Sequence, residues 1–120
     1  FAAHYGLDNL CIIVDVNGLQ IDGRTCDVMN TEPLDGKFAA FGCDVVKIDG
    51  HDFEEMESAF ARFHQNNGSR KPTVILMKTT KGKGVSYMEN QAGWHGKAPN
   101  DEEYVKGMAE LAEARKALEV

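Results

Sequence analysis

The chain has 120 residues, which suffices for one domain with a buried core and excludes two enzymatic domains, since single domains run to about 100–150 residues. Hydrophobic residues make up 42% and charged residues 27%, a composition that excludes an intrinsically disordered chain. Thirteen Lys and Arg against nineteen Asp and Glu give a net charge of −6, which disfavours nucleic acid as a partner because a phosphate backbone is repelled.

The first half of the chain predicts a helix end, a strand, a loop and a second helix. Gly6 is expected to end the opening turns in the left-handed conformation. Residues 10–16 (LCIIVDV) form a nearly continuous β-branched run, typical of a strand covered on both faces of a parallel sheet. A loop follows over 17–23, and a helix begins at Pro33 and ends before Gly42.

Two more apolar runs predict the second and third strands, at 43–48 (CDVVKI) and 73–79 (TVILMKT). Between them Asp52 is expected to cap a helix whose apolar positions repeat at three and four. Crossovers between strands of one parallel sheet are right-handed in nearly all proteins. The pattern therefore predicts an α/β fold, an open and mainly parallel sheet with helices on both faces.

A long polar loop at 81–99 precedes the last predicted helix. Loops longer than about 12–15 residues are uncommon in compact domains and are usually functional or disordered. Asn100 and Glu103 have the spacing of a capping box, which predicts a helix from this point. The expected inner stripe of that helix is Tyr104, Met108, Leu111 and Leu118.

The loops that follow the strands are the places to look for a site, since ligands of open parallel sheets bind beyond the carboxyl ends of the strands. Asn17 offers an amide oxygen there, and Gly18 permits a sharp turn that lets the Leu19 carbonyl face the same point. Both are hard oxygen donors of the kind Mg²⁺ prefers. The local sequence alone nevertheless favours an ordinary Asn-Gly turn.

His95 is the candidate acid, base or hydrogen-bond donor among the four histidines, because it lies in the long loop between Trp94 and a glycine. His4 and His64 fall on predicted helices, and His51 is expected to stabilise a turn. The alternative for His95 is a loop histidine bonded to a backbone carbonyl. The Lys-Gly-Lys-Gly run in the same loop is only a weak indication of phosphate binding, since no P-loop pattern is present.

The three cysteines lack Cys-x-x-Cys spacing, which suggests free thiols in a reducing compartment and predicts a cytoplasmic protein. Cys11 and Cys43 are expected to pack in buried strands, where a reactive thiolate is disfavoured. The longest apolar run is far shorter than the roughly 20 residues of a membrane span, so no membrane association is expected.

Four motifs together resemble the thiamine diphosphate-binding domain of transketolase: VDVNGLQIDG, DGHDFEEM, KTTKGKGVSYMEN and WHGKAPN, in this order across almost the whole chain. The similarity is greatest to the N-terminal subunit of the split form. It implies the thiamine diphosphate-binding fold, with 1–120 as the C-terminal portion of one diphosphate-side domain. It also implies ketol transfer from a ketose phosphate to an aldose phosphate, as in the pentose phosphate pathway.

The resemblance also implies a role for each candidate residue. Asn17 and Leu19 would bind a divalent metal, Mg²⁺ or Ca²⁺, through a side-chain amide and a backbone carbonyl, and so contribute to cofactor binding. Ile21 would line the thiamine diphosphate. His95 would lie near the diphosphate as a further cofactor-binding residue and act as the catalytic residue on the sugar phosphate. These roles reverse the preference for an ordinary turn at Asn17.

Two elements of the transketolase site are expected outside this sequence. A Gly-Asp-Gly motif with a further metal ligand should precede Phe1, and the glutamate that activates the aminopyrimidine should belong to a partner, the pyrimidine-binding C-terminal subunit or domain. The 120 residues alone should therefore be inactive, and the enzyme should be a homo- or hetero-oligomer. The alternatives are an enzyme similar to deoxyxylulose-phosphate synthase and a non-catalytic α/β module with the same fold.

Overall fold

A computed structural model describes residues 1–118 of the chain. The strands are β1 (Cys11–Val16), β2 (Leu19–Gln20), β3 (Gly23–Arg24), β4 (Asp44–Asp49) and β5 (Thr73–Lys78). The helices are α1 (Ala2–Tyr5), α2 (Thr25–Val28), α3 (Leu34–Ala40), α4 (Phe53–Gln65) and α5 (Asp101–Lys116), with a 3₁₀ turn at Ala92–His95. Within the described residues, no helix has the length and apolar run needed to cross a membrane.

The chain divides into two compact units. The sheet unit comprises Phe1–Asn17 and Thr31–Thr79, and the loop unit comprises the Gly18–Asn30 segment and the chain from Thr80 onward.

The sheet unit is built on three parallel strands in the order β1-β5-β4. Cys11 and Asp44 both lie opposite Thr73, so the strands begin level with one another and also end level with one another. The predicted parallel α/β sheet is confirmed. The core contains Ile48, Ala59 of α4 and Ile75, which shows that α4 packs on this sheet.

The expectation that 10–16 is covered on both faces is wrong in the described structure. No residue of β1 is fully buried, and Ile13 is 51% exposed. Strand β1 lies at one edge of the three-stranded sheet, whereas β5 has neighbours on both sides and buries its first four residues. The β-branched run therefore identified a strand but not its position in the sheet.

The predicted caps of this unit are confirmed. Gly6 ends α1 with φ +66°. The Asp52 side chain accepts hydrogen bonds from the backbone N–H groups of Glu54 and Glu55 at 2.8 and 3.1 Å. The helix expected to begin at Pro33 begins one residue later, at Leu34, with Pro33 in the N-cap position. These signals act within a few residues along the chain, which is why the sequence reveals them.

In the loop unit, the capping box of α5 is confirmed, since Asn100 and Glu103 exchange backbone-to-side-chain bonds at 2.9 Å. The predicted inner stripe is wrong: Tyr104, Met108, Leu111 and Leu118 are all exposed. The buried position of α5 is Gly107, flanked on the same face by the half-buried Glu103 and Glu110. This polar face packs against the segment 81–99. Ser86 of that segment donates hydrogen bonds to Glu110, and the Tyr87 hydroxyl donates to the Glu103 carbonyl.

Candidate functional site

The carboxyl ends of the three parallel strands form one level edge of the sheet unit. Asn17 follows β1, Gly50 follows β4 and Thr79 follows β5. The Gly50 N–H donates to the Lys78 carbonyl at 2.8 Å, and the Thr79 N–H donates to the Val16 carbonyl at 3.3 Å. Hydrogen bonding between the strands therefore continues one residue beyond the sheet. Asn17 follows directly on this bonded edge.

Gly50 belongs to the Asp-Gly-His motif and lies against the end of β5. A Cβ atom at Gly50 would be 2.5 Å from Thr79 Cγ2 and 3.0 Å from Met77 Cβ. The Thr79 hydroxyl donates a hydrogen bond to the Asp15 carboxylate, which holds that side chain in place. The motif therefore requires glycine for close approach of the two strand ends.

The turn after β4 is held by carboxylates. The backbone N–H of His51 donates to Asp49 Oδ1 at 2.9 Å, and the backbone N–H of Asp49 donates to Glu55 Oε2 at 2.7 Å. With the Asp52 cap, these bonds connect the end of β4 to the first turn of α4. His51 therefore lies in a tightly bonded turn, as the sequence predicts.

The segment after Asn17 is a sharp turn into a small hairpin of the loop unit. Gly18 has φ +73°, which confirms that the turn uses the conformational freedom of glycine. Strands β2 and β3 pair with Leu19 opposite Arg24, and the Thr25 N–H donates to the Gly18 carbonyl at 2.9 Å. The turn is therefore a closed, ordered structure.

The candidate residues of this segment differ in exposure. Asn17 and Leu19 are half-buried, whereas Ile21 lies between the two hairpin strands and is 67% exposed. Leu19 and Ile21 are brought together in one hairpin. An exposed isoleucine at a hairpin tip is available to contact a ligand, and its role toward a cofactor stays a prediction.

The residues of this turn carry neutral oxygen atoms of the class that a hard cation takes as ligands. Asn17 contributes an amide oxygen and Leu19 a peptide oxygen, and both are neutral. Across residues 1–118 no group of three His, Cys, Asp or Glu side chains is arranged to hold a metal ion. Mg²⁺ seeks about six oxygen ligands, so a cation here would need further oxygens, of the kind a diphosphate supplies.

His95 ends the 3₁₀ turn Ala92–His95 and is exposed. In the part of the chain that the structure describes, no hydrogen bond holds its imidazole, so the alternative of a ring bonded to a backbone carbonyl is not observed. His95 lies in the same unit as the hairpin but on a separate segment. An exposed imidazole is free to meet a ligand as donor or acid/base.

The cysteines are not joined to one another. All three are free thiols. Cys11 packs against the core of the sheet unit, and burial raises the pKa of its thiol. The prediction that Cys11 serves packing is confirmed, and its raised pKa disfavours the nucleophilic thiolate. The prediction that Cys43 packs in a buried strand is wrong, because Cys43 lies one residue before β4 and is half-buried.

The attachment of the 81–99 segment to α5 is a feature that the sequence did not reveal. Both the N–H and the hydroxyl of Ser86 donate to the Glu110 carboxylate at 2.6 Å, and these bonds lower the pKa of Glu110. The Trp94 indole donates to the Tyr87 carbonyl at 3.0 Å. A tryptophan within a glycine-rich polar loop was the available signal, because its N–H needs a partner when the ring is covered.

Comparison with known proteins identifies relatives over nearly the whole chain. The family model described as transketolase, thiamine diphosphate binding domain, matches residues 1–116. One of the subunits of the apulose-4-phosphate transketolase of Phocaeicola vulgatus is 42% identical over 115 residues, which cover 96% of this chain and 40% of that protein. The 6-deoxy-6-sulfo-D-fructose transketolase subunit SqwG of a Clostridium species is 40% identical over 111 residues, 92% of this chain and 40% of that protein.

A solved structure agrees with the fold. The crystal structure of a transketolase from Campylobacter jejuni superposes with a TM-score of 0.80 at 34% identity, covering 91% of this chain and 17% of that one. The chain spans about 40% of the length of the two bacterial subunits.

Proposed function

Since the chain belongs to the transketolase family and matches its thiamine diphosphate-binding domain, we propose that it forms the metal- and diphosphate-binding side of an enzyme that transfers a two-carbon ketol unit between sugar phosphates. The donor is a ketose phosphate and the acceptor an aldose phosphate. Thiamine diphosphate, when bound, supplies the nucleophile and the electron sink that cleavage of a carbon–carbon bond requires.

The observation that carries this proposal is the Asn17–Gly18 turn at the carboxyl end of β1. Asn17, whose side chain carries an amide oxygen, follows the last residue of β1, and the positive φ of Gly18 turns the chain at once into the Leu19 hairpin. Asn17 and Leu19 would hold Mg²⁺ or Ca²⁺ through their oxygens, with the diphosphate completing the shell. Ile21 would provide apolar contact to the cofactor.

His95 acts on the sugar phosphate in this proposal. Its exposed imidazole is not held by another side chain of the described residues, so it can donate a hydrogen bond to a substrate oxygen or move a proton there. The geometry supports a role in turnover more than in holding the fold. His95 is thus the proposed catalytic residue of this chain.

A partner subunit completes the site in this proposal. Two of the relatives are named as subunits of transketolases, which supports a separate polypeptide carrying the pyrimidine-binding part. The 120 residues alone are expected neither to bind thiamine diphosphate tightly nor to turn over substrate. Tight binding to the isolated chain in calorimetry would contradict this division of the site.

The test uses the complete subunit that contains this chain, in complex with its pyrimidine-binding partner. Asn17→Ala should weaken Mg²⁺-dependent binding of thiamine diphosphate by at least about tenfold, measured by calorimetry across Mg²⁺ concentrations. The matched control is Asn67→Ala, an exposed asparagine in the loop after α4. His95→Ala should chiefly lower kcat with little change in cofactor affinity.

Unchanged metal dependence in Asn17→Ala would refute the cation site. Equal losses of stability and activity in the Asn17 and His95 variants would indicate that both residues only support the fold. The donor assay separates the alternatives: turnover with pyruvate in place of a ketose phosphate would identify an enzyme similar to deoxyxylulose-phosphate synthase. An assembled, cofactor-loaded complex without turnover would identify a non-catalytic module.

A further inference from the structure

The Trp94 side chain is held from three directions. Its Nε1–H donates to the Tyr87 carbonyl at 3.0 Å. Its ring lies 5.4 Å from the Tyr87 ring, centroid to centroid, at an interplanar angle of 56°. Lys97 Nζ lies 4.1 Å from the centroid of the indole, within the range of a cation–π contact. A side chain with these directional contacts has little rotational freedom.

Glu103 connects this arrangement to α5. Its Oε1 pairs with Lys97 Nζ at 2.8 Å, and its Oε2 accepts the backbone N–H of Asn100 at 2.9 Å. The hydroxyl of Tyr87 donates to the Glu103 carbonyl. The hydrogen bond from Lys97 is the largest cause that lowers the pKa of the Glu103 carboxyl. The carboxylate therefore links the segment 81–99 to the first turn of the helix.

Gly107 lets Tyr87 approach the same helix. A Cβ atom at position 107 would be 2.8 Å from the Tyr87 hydroxyl oxygen and 3.5 Å from Val85 Cγ1. Gly107 is also the buried position of α5 among the described residues. Tyr87 can therefore lie close to α5 because position 107 has no side chain.

His95 follows Trp94 directly in the 3₁₀ turn. Because no hydrogen bond within residues 1–118 holds the imidazole, the location of His95 depends on the backbone of its turn. The backbone next to it is restrained through the Trp94 side chain. Loss of the Trp94 contacts would therefore release the backbone restraint that lies next to the imidazole.

We propose that Trp94, held by Tyr87 and by Lys97, which Glu103 in turn pairs with, is a positioning residue that places the His95 imidazole toward the sugar phosphate. This inference rests on the proposed function, since it assigns a cause to the placement of the proposed catalytic residue. Trp94 itself does not touch the reacting atoms. Trp94 instead keeps the 3₁₀ turn in place when substrate binds. This matters because a misplacement of a catalytic group by about 1 Å can lower the rate by about 100-fold.

The experiment is a double-mutant cycle in the complete subunit, in complex with its partner. Trp94→Ala should lower kcat by about 10- to 100-fold, with unchanged affinity for thiamine diphosphate. Trp94→Phe keeps an aromatic ring against Tyr87 and Lys97 and loses the N–H bond and part of the ring area, so it should restore most of that loss. In the His95→Ala background, Trp94→Ala should change kcat by no more than about twofold, because the group that it positions is absent.

A second pair of variants tests the charge contact without removing the aromatic ring. Lys97→Met breaks the contacts to Trp94 and Glu103 and should lower kcat in the wild-type background but not in the His95→Ala background. The matched control is Lys116→Met, which removes an exposed ion pair to Glu113 of 2.6 Å and should leave kcat unchanged. If Trp94→Ala fails to fold, the Lys97→Met variant and its Lys116→Met control still test the proposal.

The outcomes separate the two proposals. If the losses from Trp94→Ala and His95→Ala multiply, or if those from Lys97→Met and His95→Ala do, the positioning role is refuted while the proposed function stands. If His95→Ala leaves kcat unchanged, the proposed role of His95 fails and the positioning role fails with it. Coupled losses with rescue by Trp94→Phe support the inference.

Discussion

Replacing Gly50 with alanine is expected to lower the free energy of unfolding by about 1–3 kcal/mol, the usual cost of forcing extra carbon into a packed site. The new Cβ would lie 2.5 Å from Thr79 Cγ2, 3.0 Å from Met77 Cβ and 3.2 Å from the Lys78 carbonyl oxygen. Carbon atoms pack best at about 3.5–4.0 Å, so the first contact cannot persist and the ends of β4 and β5 must separate. The cost is steric, since the glycine lies outside the left-handed region.

A second substitution identifies the atom responsible. Thr79→Ser deletes Cγ2 and keeps the hydroxyl that donates to Asp15. In the Gly50→Ala background it should recover at least about half of the lost stability, because the remaining contacts require shifts of only a few tenths of an ångström. The two substitutions should therefore show a coupling energy of about 0.5–3 kcal/mol, as expected of residues in contact.

Urea unfolding of the complete subunit, followed by circular dichroism, measures both effects as changes in the midpoint at constant slope. The control is Gly36→Ala in α3, where a Cβ atom would meet only Pro33 Cγ at an ordinary 3.6 Å. That variant should be neutral or more stable by up to about 1 kcal/mol, because alanine favours helix. Wild-type stability in Gly50→Ala, or no recovery with Thr79→Ser, would refute the reasoning.

Three further expectations concern strain, burial and charge. Gly18→Ala should cost about 1–2 kcal/mol in thermal unfolding, since its φ is +73° although the space around it is empty, and Gly18→Asn should cost less because asparagine tolerates the left-handed region. Ile75→Ala should cost about 2–5 kcal/mol in urea unfolding, whereas Ile13→Ala, at the paired position of the edge strand and 51% exposed, should cost less than half as much. The hydrogen bond from Arg62 lowers the pKa of Asp44, so the ion pair stabilises the fold above the unfolded pKa near 4 and loses this effect as pH falls through the folded pKa. The stability difference between wild type and Asp44→Asn should therefore be constant from about pH 5 to 7 and shrink below about pH 4, measured by urea unfolding at each pH.

The candidate site was predictable where its signals are local. Asn17 follows a recognisable strand, and the glycine after it adopts the positive φ that the sharp turn requires. The interpretation of this turn depended on the resemblance to transketolase, because an Asn-Gly pair on its own is common in turns. The metal and cofactor contacts of Asn17, Leu19, Ile21 and His95 stay predictions.

The last helix shows where the pattern failed. Its apolar spacing favoured an inner stripe, yet Tyr104 and Met108 are exposed and Gly107 is buried. The reason is that α5 receives Ser86 and Tyr87 through hydrogen bonds to its polar face. The spacing of apolar residues cannot identify a helix face that packs through carboxylates and a glycine.

The sequence by itself determined the strand runs, the caps of α4 and α5 and the turn at Gly18, because each depends on residues within about four positions of one another. Only the tertiary structure decided that β5 is central and β1 is an edge strand, since Ile13 and Ile75 carry the same side chain and differ in the neighbours that pairing brings to them. The placement of the Trp94 turn against α5 was decided in the same way. The hydrogen bonds from Ser86 and Tyr87 to α5 join residues 16 or more positions apart, so the spacing of residues along the chain does not reveal them.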